Sequence, residues 1–127
     1  IAAAGHARRQ TYINRCLSDL RVISHAVEQL AFDTHAWPGG GRAGEVSDEE
    51  TWNLNAPASG LMTNDGRFAS WQGPYLDRAP IDPWGSPYFF DPDYRIAGEF
   101  HAVVGSFGPN RSGRNIYDGD DVYVIMR

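Results

Sequence analysis

The sequence lacks several features that mark particular classes of protein. It has one cysteine among 127 residues, so no internal disulfide can form. It contains no run of about 18 apolar residues, so no segment within it predicts a membrane span. Its 16 acidic residues outnumber 11 basic ones, and the net charge of −5 repels nucleic-acid phosphates. These observations exclude a disulfide scaffold and disfavour nucleic-acid binding.

Catalytic signatures are also missing. The sequence has no GxSxG, P-loop or HExxH pattern, and Ser106 has no evident base. The single cysteine, Cys16, lies among apolar neighbours in a helical pattern and is interpreted as a packed thiol. The four histidines show no paired short spacing of the kind that binds zinc, and are interpreted as surface or edge-strand residues: His6, His25, His35 and His101. The sequence therefore predicts a protein that is not an enzyme.

The N-terminal third predicts one long amphipathic helix. Proline is absent between Ala4 and Ala36, while Trp37 and Pro38 mark the helix end. We expect the helix over about residues 6–36, with its basic start, including Arg8 and Arg9, projecting from the domain. Apolar residues recur at steps of three and four and form its predicted buried face: Ile13, Leu17, Leu20, Val27 and Leu30 or Ala31.

The rest of the chain predicts a loop followed by a small sheet. Residues 38–72 indicate a long irregular connection, in which SDEETW is the best local helix signal, with Ser47 as cap and Glu50 three residues later. Short aromatic and β-branched runs at 88–90, 100–105 and 122–126 predict three antiparallel strands. Asp91-Pro92-Asp93 is interpreted as a turn after the first predicted strand. We therefore expect a single α+β domain over 1–127, with a helix (1–37), a variable loop (38–72) and a sheet region (73–127).

A proline-rich stretch before the first strand contains the most specific motif. In Asp82-Pro83-Trp84-Gly85 the proline presets the second turn position, the aspartate can accept bonds from following amides, and glycine suits the fourth position. The motif predicts a rigid turn with a tryptophan lid over the core rather than a binding site.

The stretch GPYLDRAPIDPWGSPY resembles the signature of the major pseudopilin of type II secretion systems, a branch of the type IV pilin-like superfamily. Its structural positions are Gly73, Pro74 and Tyr75 in the first half and the turn at 82–85 in the second. The helix exit AVEQLAFDTHAWPGG and the segment GEFHAVVGSFGPNRSG extend the resemblance to roughly 13–38 and 71–122, whereas 39–70 matches poorly.

The resemblance implies a filament subunit rather than a catalyst. Such a subunit polymerises into a periplasmic pseudopilus that drives export of folded proteins, in contact with other pseudopilins and secretion components. It is anchored in the inner membrane by an apolar start of the N-terminal helix, and we expect that part to be missing here.

Oxygen-bearing side chains are closely spaced around the loop between the last two predicted strands: Ser106, Asn110, Asp118, Asp120 and Asp121. A hard cation such as Ca²⁺ takes six to eight oxygen ligands. The spacing alone fits a solvated turn as well as a metal site.

The resemblance implies calcium in this loop, as the family closes it around one Ca²⁺ ion. It places Asn110 where the family usually has an aspartate, Asp118 near the second carboxylate and Asp120 at the next ligand position. Phe107 would contribute its carbonyl, and Asp121 is a further candidate. Asn110 departs from the family pattern because it offers an oxygen without a charge.

Two alternatives stay open. A type IV pilin or a minor pseudopilin would keep the class but change the machine, although pilins commonly carry a cysteine pair that this chain lacks. A small calcium-dependent module that binds sugar or peptide through Trp52, Trp71 and Trp84 belongs to another class.

Overall fold

The computed structural model describes the backbone of residues 2–110 and 121–126, and the side chains of this part except those of residues 2–7 and 110. One long helix packs on a three-stranded antiparallel sheet, so the predicted α+β class is confirmed. The elements in chain order are α1 (Ala2–Thr34), a 3₁₀ turn (Pro57–Ser59), β1 (Phe89–Ile96), β2 (Glu99–Ser106), a second 3₁₀ turn (Gly108–Asn110) and β3 (Val122–Ile125).

Helix α1 contacts β2 and β3 through one stripe of apolar side chains. Leu17, predicted to be on this stripe, is only half-buried, while Arg8 and Arg9 are exposed as expected. The helix ends at Thr34, earlier than predicted, because His35 adopts a left-handed φ of 57° and leaves the helical path before Pro38 is reached. The buried stripe is Cys16, Leu20, Ile23, Ala26, Val27 and Leu30.

The sheet is a simple meander with the order β1-β2-β3. Strands β1 and β2 are joined at Ala97 and Gly98, which both have positive φ, as a two-residue hairpin turn requires. The interpretation of Asp91-Pro92-Asp93 as a turn after the strand was wrong. These residues lie within β1, at an irregularity in its pairing with β2, and such a bulge accepts a proline that a regular inner strand would reject.

The long connection covers the free edge of β1. Thr51 exchanges two backbone hydrogen bonds with Phe90, at 2.9 and 2.8 Å, and Leu54 N donates to Tyr88 O at 3.0 Å. The helix signal in SDEETW was therefore wrong, because residues 47–52 form no helical turn and the backbone of Thr51 pairs with the strand. The edge of an otherwise open sheet is protected by this pairing.

The sheet is packed on both faces. One face meets α1 and the connection in the main core, which includes Tyr88, Phe90 and Val104. The other face has a smaller, largely aromatic cluster in which Phe89 and Phe107 stack with centroids 4.7 Å apart. The start of the loop after β2 is thus packed on this second face, which is called the back of the sheet below.

Candidate functional site

The Asp82-Pro83-Trp84-Gly85 motif forms the predicted turn. Gly85 N donates to Asp82 O at 3.0 Å, and Gly85 has a φ of 89°, which favours glycine. The Asp82 Oδ1 atom accepts from Trp84 N at 3.0 Å and from Ser86 N at 2.8 Å. The buried carboxylate therefore fixes the turn from inside.

The same carboxylate connects this turn to the start of the predicted calcium loop. The hydroxyl of Ser106 donates to Asp82 Oδ2 at 2.6 Å and accepts from Gly108 N at 3.0 Å. Both Asp82 and Ser106 are buried. The sequence motif and the loop are thus parts of one hydrogen-bonded unit, and the Ser106 hydroxyl serves to hold the backbone where the loop begins.

The predicted calcium ligands are only partly within the described residues. Phe107 is buried and begins the loop, and half-buried Asp121 ends it, with its Oδ2 accepting from the Tyr94 hydroxyl at 2.7 Å. Asp118, Asp120 and the side chain of Asn110 lie outside them. The oxygen atoms at the two ends of the loop are compatible with calcium, because the Phe107 carbonyl and the Asp121 carboxylate are both possible ligands.

The GPYL motif holds the connection against the helix. The Tyr75 hydroxyl donates to Asp33 Oδ2 on α1 at 2.7 Å and accepts from Gln72 N at 3.0 Å. Burial, followed by the bond to Asp33, raises the pKa of Tyr75, so the phenol stays protonated as a donor. Gly73, which precedes Pro74 through a cis peptide bond, leaves no room for a Cβ, since it would lie 2.5 Å from the ring of Trp71.

A separate acidic group was missed by the sequence reasoning. Glu50, from the connection, and Asp91 and Asp93, from the bulge of β1, place carboxylate oxygens within 4.8 Å of one another. The signal that could have found them is the DPD triplet itself, which is unusual inside a strand. The distant Glu50 could be assigned only once the pairing of Thr51 with Phe90 was known.

Comparison with known families identifies the chain. The family described as type II secretion system (T2SS), protein G, matches residues 5–115. The chain belongs to this family. A comparison with curated proteins gave no match.

A solved structure agrees with the fold of this protein G family member. The crystal structure of the major pseudopilin from the type 2 secretion system of enterohaemorrhagic Escherichia coli is similar, with a TM-score of 0.65 and 16% identity over 93% of this chain and 86% of that chain. At this identity the likeness concerns the fold. In the described part of the chain, α1 does not have the apolar character that a bilayer-spanning helix needs.

The tryptophans of this type II secretion pseudopilin are engaged in packing at separate places. Trp52 packs beside Phe107 on the back of the sheet, and Trp84 meets Tyr12 edge-on with centroids 5.7 Å apart. Trp71 Nε1 donates to Gly60 O at 2.7 Å. Their arrangement favours the role of core and lid residues over a shared aromatic binding platform.

Proposed function

We propose that this protein G family member is a structural subunit of the periplasmic pseudopilus, which polymerises to drive export of folded proteins through a type II secretion system. The family match over residues 5–115 carries this proposal. The family is a structural one, and the work is done by the polymer rather than by a catalytic group. The proposal includes an inner-membrane anchor formed by an apolar N-terminal segment, with the folded domain in the periplasm.

The outward face of α1 supports assembly through helix-to-helix contacts. Phe32 is 85% exposed and Val22 is 54% exposed, although both are large apolar side chains on a helix whose buried stripe packs in the main core. Burial of such side chains against a second copy of the chain would be favourable at about 25 cal/mol per Å² of apolar surface. We propose that the second copy covers this face in the filament.

Calcium in the loop between β2 and β3 is part of the proposal. Phe107 O and the Asp121 carboxylate would hold the ion together with Asn110, Asp118 and Asp120. The ion would supply charge compensation and a cross-link for the loop, and no chemical step. The attachment of both loop ends, through Ser106 to Asp82 and through Asp121 to Tyr94, supports a cation site between them.

The role of major subunit is favoured within this proposal. The Asp82-Pro83-Trp84-Gly85 turn, which bonds to the end of β2, is the feature on which the resemblance to major pseudopilins depends. A type IV pilin would be favoured by a cysteine pair, but the chain has Cys16 alone. A calcium-dependent ligand-binding module has less support, because the three tryptophans it would use pack at different places.

The test is assembly of the full-length gene product. Expressed with the other components of its secretion system, it should insert in the inner membrane as a precursor and form filaments visible by electron microscopy. The 127-residue chain by itself should be monomeric or weakly associating by analytical ultracentrifugation. Membrane-inserted, processed protein that never forms filaments would contradict the proposal.

A further inference from the structure

The acidic group of Glu50, Asp91 and Asp93 lies where the connection pairs with the edge of β1. The pairing of Thr51 with Phe90 brings Glu50 beside the strand, and the bulge directs Asp91 and Asp93 to the same place. One carboxylate oxygen from each of Glu50, Asp91 and Asp93 lies within 4.8 Å of the other two. The backbone pairing of Thr51 with Phe90 therefore holds three mutually repelling carboxyl groups close together.

Asp91 provides a second, independent observation. Its side chain is 1% exposed, and its Oδ2 atom has no hydrogen-bond partner among the described residues. The other oxygen, Oδ1, accepts only a local bond from Asp93 N at 3.0 Å. A buried carboxylate oxygen without a partner costs considerable free energy, so native proteins normally supply a donor or a cation.

The raised pKa values in this group also indicate that its carboxyls need a proton or a cation. Burial, then the neighbouring Asp93 and Glu50 carboxyls, raises the pKa of Asp91 to about 8. Burial and the nearby Asp93 likewise raise the pKa of Glu50. At neutral pH, three carboxyls this close need either a shared proton or a positive ion between them.

We propose that Glu50, Asp91 and Asp93 form a binding site for a hard divalent cation, for which Ca²⁺ is the best candidate. Carboxylate oxygens are the ligands that Ca²⁺ prefers, and its remaining positions would be filled by backbone carbonyls or water. A divalent cation is favoured over a single shared proton because it neutralises two of the three negative charges, whereas one proton neutralises only one. The ion would fasten the variable connection to β1.

This site differs from the loop between β2 and β3. Asp121, the one carboxylate of that loop within the described residues, is not a member of the group. The proposal does not depend on the role in secretion, because it concerns how the domain is held together. It assigns the connection at 39–70 a structural function, because this connection brings Glu50 to the sheet.

The experiment is a calorimetric titration of Ca²⁺ into metal-free protein in an Asp118→Asn background, which removes a predicted ligand of the loop between β2 and β3. This variant should still bind one Ca²⁺ ion. Adding Glu50→Gln or Asp93→Asn to this variant should raise the dissociation constant for Ca²⁺ by at least ~10-fold. The control is Glu49→Gln, which removes the same charge from the exposed neighbouring residue and should leave the affinity unchanged.

Folding is checked separately for each variant by circular dichroism in chelator. Because Glu50 is only partly buried, its variant avoids the packing change expected at Asp91. Absence of calcium binding in the folded Asp118→Asn protein would overturn the proposal and assign a proton to the group. Equal affinity in the Glu50→Gln, Asp93→Asn and control variants would overturn it as well, since the bound ion would then lie elsewhere.

Discussion

The Asp82 carboxylate and the Ser106 hydroxyl, 24 residues apart in sequence, form a buried 2.6 Å hydrogen bond. Through it, the turn that precedes β1 is attached to the last residue of β2. The Asp82-Pro83-Trp84-Gly85 motif is thus explained by tertiary structure as well as by turn geometry. The aspartate is required because one carboxylate serves two backbone amides and a distant hydroxyl.

Replacing Asp82 by Ala should therefore lower the free energy of unfolding by about 3 kcal/mol, because three hydrogen bonds to a charged group are lost together. Ser106→Ala should cost less, about 1 to 2 kcal/mol, and the two effects should be non-additive in a double-mutant cycle. Urea denaturation measures these differences. Asp77→Ala, at an exposed aspartate, is the control and should change stability by less than ~0.5 kcal/mol.

The sequence predicted the elements whose signals are local. In α1, apolar residues recur at steps of three and four without an intervening proline, which predicts one buried helix face. That face is buried from Cys16 to Leu30. The three strands were found from their aromatic and β-branched runs. The turn at 82–85 was predicted because proline, aspartate and glycine restrict the backbone by themselves.

The missed features depend on contacts between distant residues. SDEETW carries a capping pattern, yet Thr51 pairs with Phe90, and these tertiary bonds outweigh a weak helix signal. Asp91-Pro92-Asp93 resembles a turn, but β1 continues through it as a bulge. The acidic group that includes Glu50 could not be predicted without the pairing of the connection with β1.

Cys16 should behave as a packed thiol. Burial is the main cause that raises its pKa, so at any given pH the thiolate fraction is lower than for a free cysteine. Alkylation by iodoacetamide should therefore be slow in the folded protein and should accelerate only at pH values above about 8.5, the usual pKa of cysteine. Mass spectrometry measures the rate, with the urea-unfolded chain as control. Equal rates for folded and unfolded protein at pH 8 would contradict this prediction.

Phe32 should contribute to assembly rather than to folding. Because the Phe32 side chain is 85% exposed, Phe32→Ala should change the melting temperature of the 127-residue chain little. The same substitution is then made in the full-length protein. In the filament, the loss of a buried aromatic contact should reduce the yield of assembled pseudopilus. Gln29→Ala, an exposed polar change on the same helix, is the matched control. A Phe32→Ala protein that assembles like the control would show that this face is not a contact between copies.

Calcium in the loop after β2 should stabilise the domain by mass action. At a free concentration 100-fold above the dissociation constant, the gain is about 2.7 kcal/mol for one site. Calorimetric melting in calcium and in chelator measures this gain. Asp118→Ala should remove the stabilisation that calcium provides through this loop, whereas Glu50→Gln should leave that stabilisation unchanged. If melting of the Asp118→Ala protein responds to calcium exactly as wild type does, the loop does not hold the ion.

The central claim is that this protein G family member works as a subunit of the secretion filament. The most direct measurement is the fraction of a folded type II exoprotein that reaches the medium from cells in which the gene has been deleted. The account predicts that export stops on deletion, with the exoprotein retained inside the cell envelope, and that the full-length gene restores it. Unchanged export in the deletion strain would contradict the account.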